Sequence, residues 1–446
     1  MTTTLFTARY LITATHAGVT TIENAAVRVD DTGTIIEVGP ATQLATHAAD
    51  STHIDLPDHI LAPGLVNAHC HAAMSLMRGA ADDLPLQRWL SERIWPMEGA
   101  LVDEHFVRVG TQLAALEMLL GGTTTCADMY FYSRAAAQSF LSVGQRAVLA
   151  LPVIDFPTRY ASDVDAYITT GLQVRDEFAD EPLLSFALAP HAPYTASDST
   201  FQRVLAFANE LGIPVHTHLQ ETAQEIADSL SQFGERPTAR LARLGVLGPD
   251  FFAAHGVHLD ASDIATLARH GASVVHCPSS NLKLASGLAP VAALLHAGVN
   301  VGLGTDGAAS NNRLDMFEEM RLAALIAKVQ ANDASAVTAA QAFSMATLGG
   351  ARAVGLADVT GSIECGKVAD LIAVSLAAPG MQPMFDPISH FVYAASRGDV
   401  AHVWVGGQAR VAQGQLVGQG AQAMAQLQPQ VAALRERISA VRAMPT

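Results

Sequence analysis

Two pairs of histidines are spaced so that each pair could hold a metal ion: His69-Cys70-His71 and His216-Thr217-His218. In an extended strand, side chains at i and i+2 point to the same face, so both imidazoles of a pair can reach one ion. Cys70 would then face the other way and serve as packing. One such pair is a weak signal, and a second makes coincidence much harder to sustain. One of His216 and His218 is therefore expected to be a ligand. Glu221 follows closely, a carboxylate placed to handle protons rather than to bind metal. His255, in Ala254-His255-Gly256 with His258 behind it, would act as a neutral donor or orienting group near the ion. Asp306 stands in Gly304-Thr305-Asp306-Gly307. Three histidines and an aspartate would make a zinc shell with one position left for water. Iron or manganese could use the same ligands.

These residues meet only if the chain folds so that each sits at one end of a strand. Short apolar runs are expected as strands at 61–67, 122–128, 146–153, 184–190, 213–218, 251–256, 272–277 and 299–305. Amphipathic stretches such as DSTFQRVLAFANELG lie between them. Strand and helix alternating eight times is the signature of an α/β protein with a parallel (β/α)8 barrel, TIM-like in form. In such a barrel the chemistry sits at the C-terminal ends of the strands, where the histidines and Asp306 fall. The two ends of the chain read differently, as short strands broken by Gly and Asp. Residues 1–60 and 361–420 are expected to build one small β-sandwich domain, 61–360 the barrel, and 421–446 a closing helix.

The 446-residue chain is 50% hydrophobic and 15% charged, ordinary values for a globular enzyme with a large core. Its 26 basic and 42 acidic residues leave a net charge of −16. That balance argues against nucleic acid and against an anionic membrane as partners. Cys70, Cys126, Cys277 and Cys365 show no CxxC spacing, so neither a zinc ribbon nor a thioredoxin-like motif is expected. Free thiols, no recognisable signal peptide and no long apolar span together suggest the cytoplasm. The HxE…PCxxC zinc signature, the dinucleotide and phosphate-loop glycine motifs and the GxSxG elbow are all absent.

The segments PGLVNAHCH, HTHLQE, AAHGVHL and GLGTDG, in that order, resemble the amidohydrolase superfamily. Within it, DLPLQRWLSERIWPMEGAL, ADMYF, APHAPYT and HCPSSNLKLASG are most similar to the 5-methylthioadenosine/S-adenosylhomocysteine deaminases. The resemblance covers nearly the whole chain, including the split β-domain and VADLIAV. It implies one divalent metal, zinc foremost, held by His69, His71, His218 and Asp306. It makes Glu221 the proton shuttle, His255 the residue that polarises the attacking water, and Asp306 a proton acceptor. Glu221 and Asp306 would also touch the substrate. Glu98 would bind ribose hydroxyls, His191 would contact the substrate after strand four, and Trp89 would line the pocket. Some members carry arginines that meet the amino-acid end of S-adenosylhomocysteine, and here only Arg159, in LPVIDFPTRYASD, is a candidate.

The activity implied is hydrolytic deamination of 5′-methylthioadenosine, S-adenosylhomocysteine or adenosine, with self-association into a homo-oligomer. Guanine-type deamination and triazine dechlorination are the neighbouring chemistries. A non-catalytic scaffold is the remaining alternative, and such a protein would be expected to lose a metal ligand.

Overall fold

The computed structural model describes residues 3–44 and 51–442. Four strands come first: β1 (Thr3–Thr15), β2 (Gly18–Val29), β3 (Ile35–Pro40) and β4 (Ser51–Pro63). Eight follow in the middle of the chain: β5 (Leu65–Cys70), β6 (Thr123–Met129), β7 (Arg146–Val153), β8 (Leu184–Pro190), β9 (Val215–Leu219), β10 (Phe251–His255), β11 (Ser273–His276) and β12 (Asn300–Leu303). The last four are β13 (Leu371–Ser375), β14 (Val400–Val405), β15 (Gln408–Ala412) and β16 (Gln415–Leu416).

β5 to β12 lie side by side in chain order, and every recorded pairing between them is parallel. They are buried almost without a break, as parallel strands covered on both faces must be. The (β/α)8 barrel expected from the alternation is therefore present. β5 and β12 meet through their ends. Asp306 N donates to the His69 carbonyl at 3.0 Å, and Thr305 N donates to Asn67 Oδ1 at 2.9 Å. Gly304 makes this approach possible, because a Cβ there would lie 2.8 Å from the His69 carbonyl oxygen. The helices between strands start at side-chain caps: Asp103, Asp163, Ser197, Thr222, Asp260 and Asp315 each accept a backbone N–H from the first turn.

The first barrel strand begins later than expected. The run 61–67 is divided at Gly64, with β4 belonging to the other sheet and β5 to the barrel. Gly64 crosses so close to β6 that a Cβ would sit 2.0 Å from Thr124 Oγ1. β5 also breaks register with β6 between Asn67 and Cys70. Val66 and Ala68 pack inside the barrel, while Cys70 packs outside it among the helices. The irregularity shifts the phase so that His69 faces inward as well, which is what bulges do beside active sites.

The remaining strands form one eight-stranded sheet in the order β16-β15-β14-β13-β4-β1-β2-β3. Both ends of the chain contribute to it. The expected sandwich takes the form of a single sheet curled over its own core, with the Phe6 and Trp404 rings edge-on at 5.0 Å inside. Ala369 N donates to the Gly33 carbonyl and Gly407 N to the Ala369 carbonyl, which draws the curl shut. A helix spans Gln419–Arg442 and packs on the helix Glu104–Leu120. Positions 1–2 and 45–50 of the expected N-terminal β-unit, and 443–446 of the expected closing helix, lie outside the described residues. Among the described residues no helix is long and apolar enough to cross a membrane.

Candidate active site

Four histidines converge at the mouth of the barrel, and their hydrogen bonds fix where each lone pair points. His71 Nδ1 lies 2.6 Å from the Met129 carbonyl and His218 Nδ1 lies 2.6 Å from the His191 carbonyl. A carbonyl can only accept, so each Nδ1 carries the proton and each Nε2 keeps a bare lone pair. His216 Nδ1 lies 3.0 Å from the Phe252 carbonyl, and its Nε2 lies 2.8 Å from His69 Nδ1. By the same logic His69 donates to His216 and presents its own Nε2 bare. That Nε2 is buried without a hydrogen-bond partner.

The bare atoms crowd together. His71 Nε2 and His218 Nε2 are 3.3 Å apart with no proton to share. Asp306 Oδ1 sits 3.6 Å from His69 Nε2 and 3.3 Å from His71 Nε2. Donor atoms of His69, His71 and Asp306 lie within 4.8 Å of one another, as do those of His69, His218 and His255. Burial pushes His69 down to about 4 and His218 well below the ordinary imidazole value, which favours the neutral form of both. Burial opposes ionisation of Asp306, yet the imidazoles around it, His69 and His71 foremost, hold its carboxyl well below the ordinary range. Ser280 and Ser310 donate to its Oδ2 at 2.6 and 2.8 Å, and Gly307 N donates to its Oδ1 at 2.7 Å. Three imidazoles and a carboxylate facing one point are a donor set suited to a cation. An orphaned buried nitrogen and two opposed lone pairs are what such a donor set shows when considered without its ion.

Glu221 and His255 flank this centre. Glu221 Oε2 lies 3.7 Å from His255 Nε2, and Ser286 donates to Glu221 Oε1 at 3.2 Å. Burial raises the Glu221 carboxyl above its ordinary value, Asp306 adds to the rise, and His255 opposes it. Burial works against charge on His255, but the Glu221 and Asp306 carboxylates outweigh it and leave the imidazole more basic than usual. By simple alternation along β10 His255 would point outward with Phe251 and Ala253. It adopts φ +76° instead and turns into the barrel. Gln220 and Asp306 also hold left-handed backbones, φ +50° and +58°. Strain of this kind gathers where the surroundings enforce a functional geometry. Glu225 helps to enforce it: its carboxylate accepts from Gln220 N at 2.9 Å and Glu221 N at 3.0 Å.

A cavity of about 330 Å³ opens beside these groups. His71, His218, Glu221, His255 and Asp306 form its inner end. Glu98, His191, Trp89 and Arg159, all singled out in the sequence, line it too. Glu98 accepts from the Tyr130 hydroxyl at 2.7 Å, and burial raises its pKa. His191 Nδ1 lies 3.0 Å from Thr195 Oγ1, and burial pushes its pKa down to about 3. Trp89 is buried and donates to the Ala81 carbonyl. Arg159 is exposed, with its guanidinium 3.4 Å from the Ala100 carbonyl. His69 touches the inner histidines but not the cavity surface. His216 entered only as one of two candidate ligands, and Tyr130, Ser280 and Ser310 carry roles that residue spacing did not announce. Tyr130 falls inside ADMYF and Ser280 inside HCPSSN, so those motifs already held the signal, whereas Ser310 lies outside both.

A profile of the amidohydrolase family matches residues 60–410. A 5-methylthioadenosine/S-adenosylhomocysteine deaminase of Teredinibacter turnerae is 49% identical over 374 residues, covering 84% of this chain and 85% of that protein. Its counterpart of the same name in Saccharophagus degradans is 47% identical over 394 residues, or 88% of each. The crystal structure of an adenosine deaminase from Xanthomonas campestris with bound zinc covers 98% of both chains, with a TM-score of 0.95 at 46% identity. The matched span holds the barrel and every residue of the converging centre, and this chain belongs to the amidohydrolase family.

Proposed function

We propose that this chain hydrolytically deaminates adenine nucleosides, 5′-methylthioadenosine and S-adenosylhomocysteine first and adenosine as well, releasing ammonia and the inosine analogue. The observation that carries this is the meeting, in one buried cavity, of bare Nε2 atoms and Asp306 with a Glu221–His255 pair. Similarity to proteins named for this reaction supports the substrate class.

His69, His71, His218 and Asp306 would hold one divalent ion, zinc in our reading, with iron or manganese able to use the same ligands. When bound, the ion supplies Lewis acidity that lets a water molecule ionise near neutral pH. Asp306 accepts the proton of the attacking water at Oδ1, since its Oδ2 is taken by two serine hydroxyls. His255 orients that water through Nε2. Glu221 protonates the purine ring nitrogen, drawing electrons away from the carbon that bears the amine. Burial suits it to this role, because it raises the carboxyl above its ordinary value and so favours the protonated form. A tetrahedral carbon forms, a proton passes to the exocyclic nitrogen, and ammonia leaves. Glu98 holds the ribose hydroxyls with charge-assisted hydrogen bonds. His191 contacts the nucleoside, and Trp89 and Arg159 complete the pocket wall.

We also read residues 1–60 with 361–420, 61–360, and 421–446 as separate units of one enzyme in the cytoplasm, self-associating as a homo-oligomer. None of the four cysteines is in a disulfide, which suits a reducing compartment. The test is ammonia release from methylthioadenosine, S-adenosylhomocysteine, adenosine and guanine by metal-replete protein. Release from the adenine nucleosides is the expected result. Release from guanine alone would discard the roles of Glu98 and His191, and silence with all four would discard the reading.

A further inference from the structure

The cavity wall leading away from the reacting groups is a run of aromatic rings. Tyr130 lies 6.3 Å from His71, ring centre to ring centre, and Phe131 lies 5.5 Å from Tyr130. Tyr160 follows at 6.0 Å from Phe131, and Tyr132 at 5.2 Å from Tyr160. All four line the same cavity, and Trp95 and Phe156 stand at its edge, 45% and 44% exposed. Three consecutive aromatic residues, Tyr130, Phe131 and Tyr132, line the cavity, and the backbone turns left-handed at Tyr132, φ +55°. That conformation is unfavourable for a bulky side chain, and the fold keeps it here.

Charge is sparse along this wall. Among the described residues lining the cavity, the carboxylates are Glu98, Glu221 and Asp306, which the proposed reaction already uses. Arg159 is the one arginine or lysine on the lining, at its exposed end. A zwitterionic tail would find one opposite charge, Arg159, for its carboxylate, and for its ammonium no carboxylate other than those the proposed reaction already uses. Taking both charges of a zwitterion out of water along a mostly apolar wall costs binding energy, whereas an alkyl chain gains it there.

We propose that the wall from Tyr130 to Trp95 and Phe156 is the subsite for the 5′ substituent. It selects uncharged alkylthio tails longer than methyl over the zwitterionic homocysteine tail. This rests on the nucleoside deaminase reading above. It is tested with the methyl-, ethyl-, propyl- and butylthio 5′-deoxyadenosines beside S-adenosylhomocysteine. The expected kcat/KM rises along the alkyl series by about fourfold per methylene at full burial, ~0.8 kcal/mol. S-Adenosylhomocysteine should fall below the butylthio compound. The Glu221→Gln protein, titrated by the fluorescence of Trp89 and Trp95, should give the same order in Kd. In Phe156→Ala the alkyl series should flatten. A flat or falling series in the wild type, with methylthioadenosine still turned over, overturns the subsite and leaves the deaminase reading intact. S-Adenosylhomocysteine ranking first, with its lead lost in Arg159→Ala, overturns it too. No ammonia from any compound overturns both.

Discussion

At the scale of single residues, the centre depends on side chains that never touch substrate. His216 accepts from His69 Nδ1 and is itself fixed by the Phe252 carbonyl. Groups that orient a metal-binding imidazole from behind typically change metal affinity by about 10- to 100-fold when removed. His216→Phe keeps a flat ring stacked on Phe252, whose ring lies 4.1 Å away, but loses the acceptor. The variant should lose metal to a chelator at concentrations that leave the wild type loaded, as dialysis and metal analysis would read. Equal retention would mean that His216 is only packing. This residue also shows where sequence reading stops. Strand alternation puts His216 and His218 on one face, and it cannot say which reaches the centre and which lies behind His69. That depends on depth in the barrel, which spacing does not encode.

At the scale of elements, eight apolar runs announced the barrel strands because burial on both faces demands nearly unbroken apolar sequence. What alternation could not reveal was the register break in β5 or the left-handed turn at His255. Both re-aim a histidine against the local period, and both are imposed by long-range contacts. The helix Met316–Ala331 supplies another such contact. Its Glu319 accepts from Ser279 N and Asn311 Nδ2, bracing the two turns whose serines hold Asp306. Burial pushes Glu319 up to about 8. The folded state therefore keeps a proton that the unfolded chain, near its ordinary value of 4.5, has already lost. Stability from this site is fully present below that value and fades as pH rises toward 8. Denaturation of wild type and Glu319→Gln at pH 5 and pH 8 should show the variant gaining on the wild type at the higher pH. A constant difference would mean that Glu319 titrates normally.

At the scale of the whole molecule, the barrel and the terminal sheet are joined by a buried ion pair. Arg146, at the start of β7, donates to both carboxylate oxygens of Asp370, at 2.7 and 3.2 Å. Gly406 N donates to the same carboxylate. Asp370→Ala would strand the guanidinium, at a cost of about 3–5 kcal/mol. The midpoint of urea unfolding should fall accordingly, and an unchanged midpoint would show the two parts to be held otherwise. The sheet itself was legible as short strands, broken by Gly and Asp, at both ends of the chain. Its closure into one curled layer was not, because it depends on contacts between residues hundreds of positions apart. The proposed reaction needs a metal centre served by a proton-carrying glutamate. Glu221→Gln tests this most directly, because the amide oxygen can still accept from Ser286 and the ligand set is untouched. Metal content and the rate of ammonia release from methylthioadenosine would be measured on the same samples. The account predicts full metal occupancy with kcat lowered by about 10²- to 10⁴-fold. A metal-loaded variant with wild-type kcat would contradict it.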